Sequence, residues 1–177
     1  RQIPSVGLQH GFIYRHWLNY RHEPDEMAAC GQDLGFPRPD LTLLFDGYAA
    51  EYLRSAGAFP PDSLAVTGSP RLDELASRVA SAASDREQTR TEASVTGDGR
   101  LVVLAAKFSE IRDDIGAVFD AALTLPGVVV LVRPHPADRA DDYIRIAAGR
   151  AGIRVAAPDA DLGRLLAAAD AVATMNS

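Results

Sequence analysis

Four stretches of this sequence place groups that bind anions or move protons directly beside apolar runs. The tightest is Arg133-Pro134-His135-Pro136. Each proline fixes its own φ and bars the helical region to the residue before it, so Pro134 and His135 are held extended around one titratable ring. Arg133 and His135 both offer donors to an anionic group such as a phosphate. A helix starting near Ala137 would add its positive end. The second stretch is the end of the chain, Asp170 to Ser177, where small polar residues, Asn176 and Ser177, follow a strand-like run as they do at the start of a phosphate-binding turn. The third is Gln9-His10-Gly11, where glycine lets the backbone turn sharply beside a histidine. His10 there either serves chemistry or satisfies a local hydrogen bond.

The fourth stretch is Thr67-Gly68-Ser69-Pro70-Arg71-Leu72-Asp73. Gly68 can take a conformation closed to other residues and bring backbone close to a ligand, and Pro70 suits a first helical turn. An ordinary strand-to-helix turn capped by Ser69 accounts for the same residues. Lys107, the only lysine among 18 lysines and arginines, follows the apolar run 101–106. From there it could reach a diphosphate or simply stand in solvent. Asp46-Gly47 reads as a helix cap.

The elements that must position these residues alternate along the chain. Runs rich in β-branched or large apolar residues lie at 41–45, 64–67, 101–106, 128–132 and 171–174, and residues 5–8 precede His10 in the same way. Between them, Ile111, Ile115, Val118, Phe119 and Ala122, and later Leu162, Leu165, Leu166 and Ala169, recur at helical spacing. Strands separated by helices of this length indicate βαβ units and parallel sheets, in which ligands bind at the carboxyl ends of the strands. All four stretches fall at such ends. Residues 77–99 are polar, with two valines as their only large hydrophobes, and end in Gly97-Asp98-Gly99, which predicts the tail of a helix and a linker. The expected organisation is therefore an α/β chain with one unit over 1–76, a linker over 77–99 and a second unit over 100–177. The segment 11–39 has no clear period, and long loops in α/β proteins are commonly functional.

Composition narrows the class. With 47% hydrophobic and 24% charged residues, the chain has the balance of a globular protein with a core. No apolar run approaches the roughly 20 residues of a membrane span. A net charge of −6 argues against nucleic acid as partner. Up to Glu23 there is no acidic side chain, while Arg1, Arg15, Arg21, His10, His16 and His22 fall in that stretch, forming either an anion-receiving patch or a solvated face. Cys30 stands alone, which excludes an internal disulfide and a cysteine-rich metal site.

In order and spacing, Gly7-Leu8-Gln9-His10-Gly11, Thr67 through Asp73, Arg133-Pro134-His135-Pro136 and Ala169-Asp170-Ala171 through Asn176-Ser177 resemble the GT-B transferases of surface-polymer synthesis. That group includes CDP-glycerol glycerophosphotransferases, capsule polysaccharide transferases and, more distantly, bacterial sialyltransferases. The resemblance implies two Rossmann-like domains, with the nucleotide donor held mainly by the second. It implies that His10 is a general base on the acceptor hydroxyl, that His135 and Pro136 contact the donor phosphate, and that Asn176 and Ser177 do so as well. The donor implied is a nucleotide-sugar or CDP-polyol, the acceptor a glycan or lipid-linked molecule. No cofactor is implied and no metal is required if arginine, histidine and a helix end neutralise the phosphate. The resemblance places the activity at the cytoplasmic, inner face of a bacterial membrane. Family chains begin well before the His-Gly strand and continue well past the Asn-Ser element, so this chain reads as a fragment with both units truncated. A non-hydrolysing UDP-sugar 2-epimerase is an alternative with the same two-domain fold, although Gly11-Phe12-Ile13 stands where that family has an acidic motif. A non-catalytic nucleotide-binding α/β module is another.

Overall fold

The computed structural model describes residues 3–14, 20–30 and 35–174. The chain divides into two compact units, Arg1–Asp73 and Glu74–Ser177. Among the described residues, the first unit carries strand β1 (Val6–Leu8), a short helix α1 (Pro24–Met27), β2 (Leu41–Leu44), α2 (Gly47–Ser55), a 3-10 turn at Pro61–Ser63 and β3 (Leu64–Val66). The strands form a parallel sheet in the order β1-β2-β3. Helix α2 starts where expected, because the Asp46 side chain accepts from the Ala49 N–H at 2.8 Å and satisfies one of the free donors of the first turn. Its apolar residues Ala49 and Leu53 pack with Ile13, Leu44 and Phe59 into one core. After β3 the chain turns at Gly68, whose φ of +81° favours glycine, and Pro70 opens helix α3 (Pro70–Ser81).

The second unit continues with a 3-10 turn at Ala82–Asp85 and α4 (Arg86–Glu92), then β4 (Arg100–Ala106), α5 (Phe108–Ile111) and α6 (Ile115–Leu123). It is completed by β5 (Val128–Pro134), α7 (Ala140–Ala147), β6 (Ile153–Val155), α8 (Leu162–Ala168) and β7 (Ala171–Thr174). The sheet is parallel with order β6-β5-β4-β7. Successive side chains alternate between its faces. Leu104, Ala106, Val130 and Val132 meet Ile115, Phe119 and Tyr143 from α6 and α7, while Leu101, Val103 and Leu131 meet Ala93, Leu165 and Ala168 on the other face. Phe119 and Tyr143 are fully buried, and burial of a side chain such as Phe119 contributes roughly 2 kcal/mol. β4 and β5 therefore sit under helices on both faces, as their uninterrupted apolar runs require.

Three details differ from the sequence reading. Residues 77–99 open on the expected helix tail, the end of α3, but continue through a 3-10 turn and α4 where a linker was expected, and Ala82, Thr89 and Ala93 are buried. Small residues do the packing there, so the hydrophobic signal is weak. Strand β5 runs on through Arg133 and Pro134, with Pro134 in register with Ala106. Helix α7 begins at Ala140, not near Ala137, because a turn closed by Asp138 N–H donating to His135 O at 2.8 Å intervenes.

Candidate functional site

The order β6-β5-β4-β7 reverses direction beside β4: the chain adds β5 and β6 on one side and then returns to place β7 on the other. In open α/β sheets such a switch leaves a crevice at the carboxyl ends of the strands, where ligands bind. Lys107 leaves β4 at this end, and His135 leaves β5. Ala106 pairs with Pro134, so the two exits are neighbours, and both Lys107 and His135 are exposed. Thr174 pairs with Ala105, which sets the carboxyl end of β7 on the other side of β4. Asn176 and Ser177 lie outside the described residues.

Around His135 the backbone fixes the ring. The Ala137 N–H donates to His135 Nδ1 at 3.1 Å, so Nδ1 is an acceptor and a neutral ring carries its proton on Nε2. The free face of the ring is then a donor. Pro136 is exposed and belongs to the turn. Arg133 is half-buried: Nη1 donates to the Pro134 carbonyl at 2.8 Å, and Nε is buried with no partner among the described residues. By alternation along β5 it leans to the same sheet face as Leu131, so it is presented less directly than His135.

A carboxylate absent from the sequence reading joins these exits. Asp138 Oδ2 accepts from the Phe108 N–H at 2.7 Å and lies 2.8 Å from the Tyr143 hydroxyl. That hydroxyl is also 2.8 Å from the Ala106 carbonyl oxygen. Burial, and then the neighbouring Asp138 carboxylate, push the Tyr143 phenol up from its ordinary value, so it stays protonated and donates. No spacing rule marks a bond between residues 30 apart, and nothing in the sequence around Asp138 distinguishes it.

In the first unit His10 follows β1 and is exposed. Gln9 holds its loop. Gln9 Oε1 accepts from the Phe45 N–H at 2.8 Å, and its amide donates to the Gly11 carbonyl at 2.8 Å. Gly68 stands two strands away at the exit of β3, where Ser69 O accepts from the Leu72 and Asp73 N–H groups. The geometry of Gly68 serves that turn, and its close approach to a ligand stays an expectation.

At the opposite, amino-terminal edge of the second sheet, a concavity of about 430 Å³ is lined by Arg86, Arg90, Asp98, Arg100 and Asp170. Its charge is already matched from within. Arg86 and Arg90 donate to the two carboxylate oxygens of Asp170 at 2.8 and 2.7 Å, and further N–H groups go to the carbonyls of Ala167, Ala168, Ala169 and Gly99. Asp170 also accepts from the Leu101 N–H at 2.8 Å. The bond from Arg90 and then that from Leu101 hold its carboxyl at about 2. This cluster anchors the start of β7 and leaves little for a ligand. Among the described residues no group of three or more His, Cys, Asp or Glu side chains is placed to hold a metal ion, and no helix is long and apolar enough to cross a membrane.

No protein-family model matches the chain, and none of the curated proteins does. Among solved structures it is similar to UDP-GlcNAc 2-epimerase from Neisseria meningitidis, solved bound to UDP-GlcNAc, at 15% identity and a TM-score of 0.53, over 77% of this chain and 38% of that one. It also matches the wall teichoic acid polymerase TagF at 20% identity and a TM-score of 0.49, over 78% of this chain and 33% of that one. The chain thus spans about a third of the length of the structures it matches. The fold is the one expected from the sequence: two Rossmann-like parallel-sheet units of the GT-B type.

Proposed function

We propose that this protein is a transferase that moves a glycosyl or polyol-phosphate group from a nucleotide-activated donor to a surface-polysaccharide or related acceptor. The donor phosphates would lie at the carboxyl ends of β4 and β5. One observation carries the reading: Lys107 and His135 leave adjacent, paired strand ends at the switch in strand order, and Nδ1 of the exposed His135 accepts a backbone N–H, which leaves Nε2 as the donor of a neutral ring. A cation and an oriented donor at that place suit a phosphate that gains charge as it departs. The fold shared with an epimerase solved with UDP-GlcNAc agrees with a nucleotide-sugar as donor.

In the proposed reaction the acceptor hydroxyl loses its proton to His10 as its oxygen attacks the donor. The bond between the transferred group and the nucleotide's phosphate breaks, and the phosphate keeps the electron pair. His135 donates to that oxygen, Lys107 supplies charge, and Arg133, Pro136, Asn176, Ser177 and Gly68 belong to the same expected donor contacts. Neutralisation by these groups requires no metal. The acceptor is a glycan or lipid-linked molecule, handled at the inner face of the membrane.

The test is nucleotide binding followed by turnover. Thermal unfolding with CMP, CDP, UDP and GDP should single out one nucleotide, since a ligand at 100 times its Kd adds about 2.7 kcal/mol of stability. His135→Ala should abolish the effect. If no nucleotide stabilises a protein that still melts cooperatively, the donor site is not at these strand ends. Product analysis then separates the chemistries: a modified acceptor supports transfer, and an isomerised donor formed without any acceptor supports 2-epimerisation instead.

A further inference from the structure

We infer that Asp138 is a positioning residue that holds Lys107 and His135 in place for the donor phosphates; the inference rests on the binding reading above. Lys107 is bracketed by two contacts with one network, in which the single Tyr143 hydroxyl proton is shared. On its carboxyl side the Phe108 N–H donates to Asp138 Oδ2 at 2.7 Å, and on its amino side the Ala106 carbonyl oxygen lies 2.8 Å from the Tyr143 hydroxyl. That hydroxyl is shared with the same Asp138 oxygen, at 2.8 Å. His135 is held from the other end of the network. Its carbonyl oxygen accepts from the Asp138 N–H at 2.8 Å, and its ring Nδ1 accepts from the Ala137 N–H at 3.1 Å.

One side chain from the β5 exit therefore fixes the β4 exit, while its own backbone fixes the histidine. The Tyr143 ring packs edge-on against Phe108 with centroids 5.1 Å apart, which holds the hydroxyl under the turn. Two groups that must converge on one phosphate are oriented before it arrives, so binding orders fewer torsions.

The two bonds meet on a single carboxylate oxygen, and this separates position from charge. Asparagine at 138 can offer its one amide oxygen to both donors. Alanine offers none. If Asp138 acts by position, Asp138→Ala loosens the phosphate contacts and Asp138→Asn restores them.

The readout is the ratio of the Kd of a nucleoside to the Kd of its diphosphate, measured by calorimetric titration with cytidine and CDP, uridine and UDP, and guanosine and GDP. A purely structural role for Asp138 would lower the unfolding temperature and leave this ratio alone. The ratio should fall about tenfold in Asp138→Ala and return to near wild type in Asp138→Asn. Tyr143→Phe, which removes one of the two bonds and keeps the packing, should fall between them and serves if the alanine variant does not fold. His135→Ala is the control. If His135→Ala lowers the ratio while Asp138→Ala and Tyr143→Phe do not, the positioning role is wrong and the donor site stands. If His135→Ala leaves the ratio unchanged, or no diphosphate binds at millimolar concentration, the donor site itself is wrong and the inference falls with it.

Discussion

Replacing Asp170 with asparagine tests what holds β7, and so the switch in strand order, in place. Asp170 stands one residue before β7, and its side chain keeps only 18% of its exposure. One oxygen takes Arg90 Nη1 and the Leu101 N–H, and the other takes Arg86 Nη2. Asparagine can keep the Leu101 bond with its amide oxygen, but its NH2 group then points at the Arg86 guanidinium, and Arg90, itself 12% exposed, loses a charged partner. A carboxyl lowered from 3.8 to about 2 corresponds to at most roughly 2 to 3 kcal/mol of stability. Solvent and salt screen a pair at the rim of a sheet, so roughly 1 to 2 kcal/mol is the expected net loss. In a chain of this length that lowers the unfolding temperature by roughly 3 to 6 °C.

The sign of the pH dependence follows from the direction of the shift. Above 3.8 the carboxyl is ionised in both folded and unfolded chains, and the native pairings contribute in full. As pH falls toward about 2, the unfolded chain takes up the proton first and the contribution fades, with about half left at pH 3. The gap between wild type and Asp170→Asn, measured by calorimetry from neutral pH down to about pH 3, should therefore shrink to about half its neutral value, most of the change falling below about pH 4. A gap absent at neutral pH would show that the arginines do not stabilise this carboxylate. A gap that persists undiminished at low pH would show that packing, not charge, accounts for it.

Four further outcomes are expected. Tyr143→Phe should cost roughly 1 to 2 kcal/mol at neutral pH, since the one hydroxyl proton shared by the Ala106 carbonyl and the Asp138 carboxylate is lost. Because the native phenol is pushed above its ordinary 10, wild type should lose stability as pH rises past 10, so the gap closes there in urea unfolding. Gly68→Ala has open space, with Asp73 Oδ2 the nearest neighbour at 3.9 Å, so only its φ of +81° is strained; a loss of roughly 1 kcal/mol in the same assay is expected. Gln9→Leu removes the bonds to Phe45 and Gly11, and should lower kcat/KM for the acceptor about tenfold while leaving nucleotide affinity alone. Equal turnover would remove His10 from the reaction. Nucleotide affinity should be unchanged on adding EDTA, and a clear loss would assign the neutralisation to a metal.

Much of the scaffold was legible because parallel sheets advertise themselves. Val128 through Val132 is apolar without alternation, and only a strand covered on both faces needs that. Ile153-Arg154-Val155 escaped notice because a three-residue strand with an arginine at its centre has no period to read. Residues 77–99 read as a linker because Ala82, Thr89 and Ala93 bury surface without looking hydrophobic. Within the candidate site, the place of Arg133 through Pro136 at the carboxyl end of a strand was legible, while its part in binding stays a proposal. The displaced start of α7 was not legible, since it follows from the turn that the Asp138 N–H closes on the His135 carbonyl, and neither was the bond from Phe108 to Asp138 across the sheet. The end of the chain, with Asn176 and Ser177, lies outside the described residues, so the expectation there stands as it was.

The two units place their histidines by the same physical device. In the first, a Gln9 side-chain oxygen from the exit of β1 accepts the Phe45 N–H at the exit of β2. In the second, an Asp138 side-chain oxygen from the exit of β5 accepts the Phe108 N–H at the exit of β4. Each tie satisfies a backbone donor that the parallel ladder leaves free where its strands stop. Each also stiffens the short segment that carries an exposed histidine, His10 in one case and His135 in the other. A loop that only connected a strand to a helix would gain little from such a tie, because water can satisfy the same donor. The restraint matters when a ring must meet a reacting group at a fixed place, where a shift of about 1 Å can cost a hundredfold in rate. The proposed reaction, which gives His10 and His135 chemical roles, would account for the restraint at both of these positions.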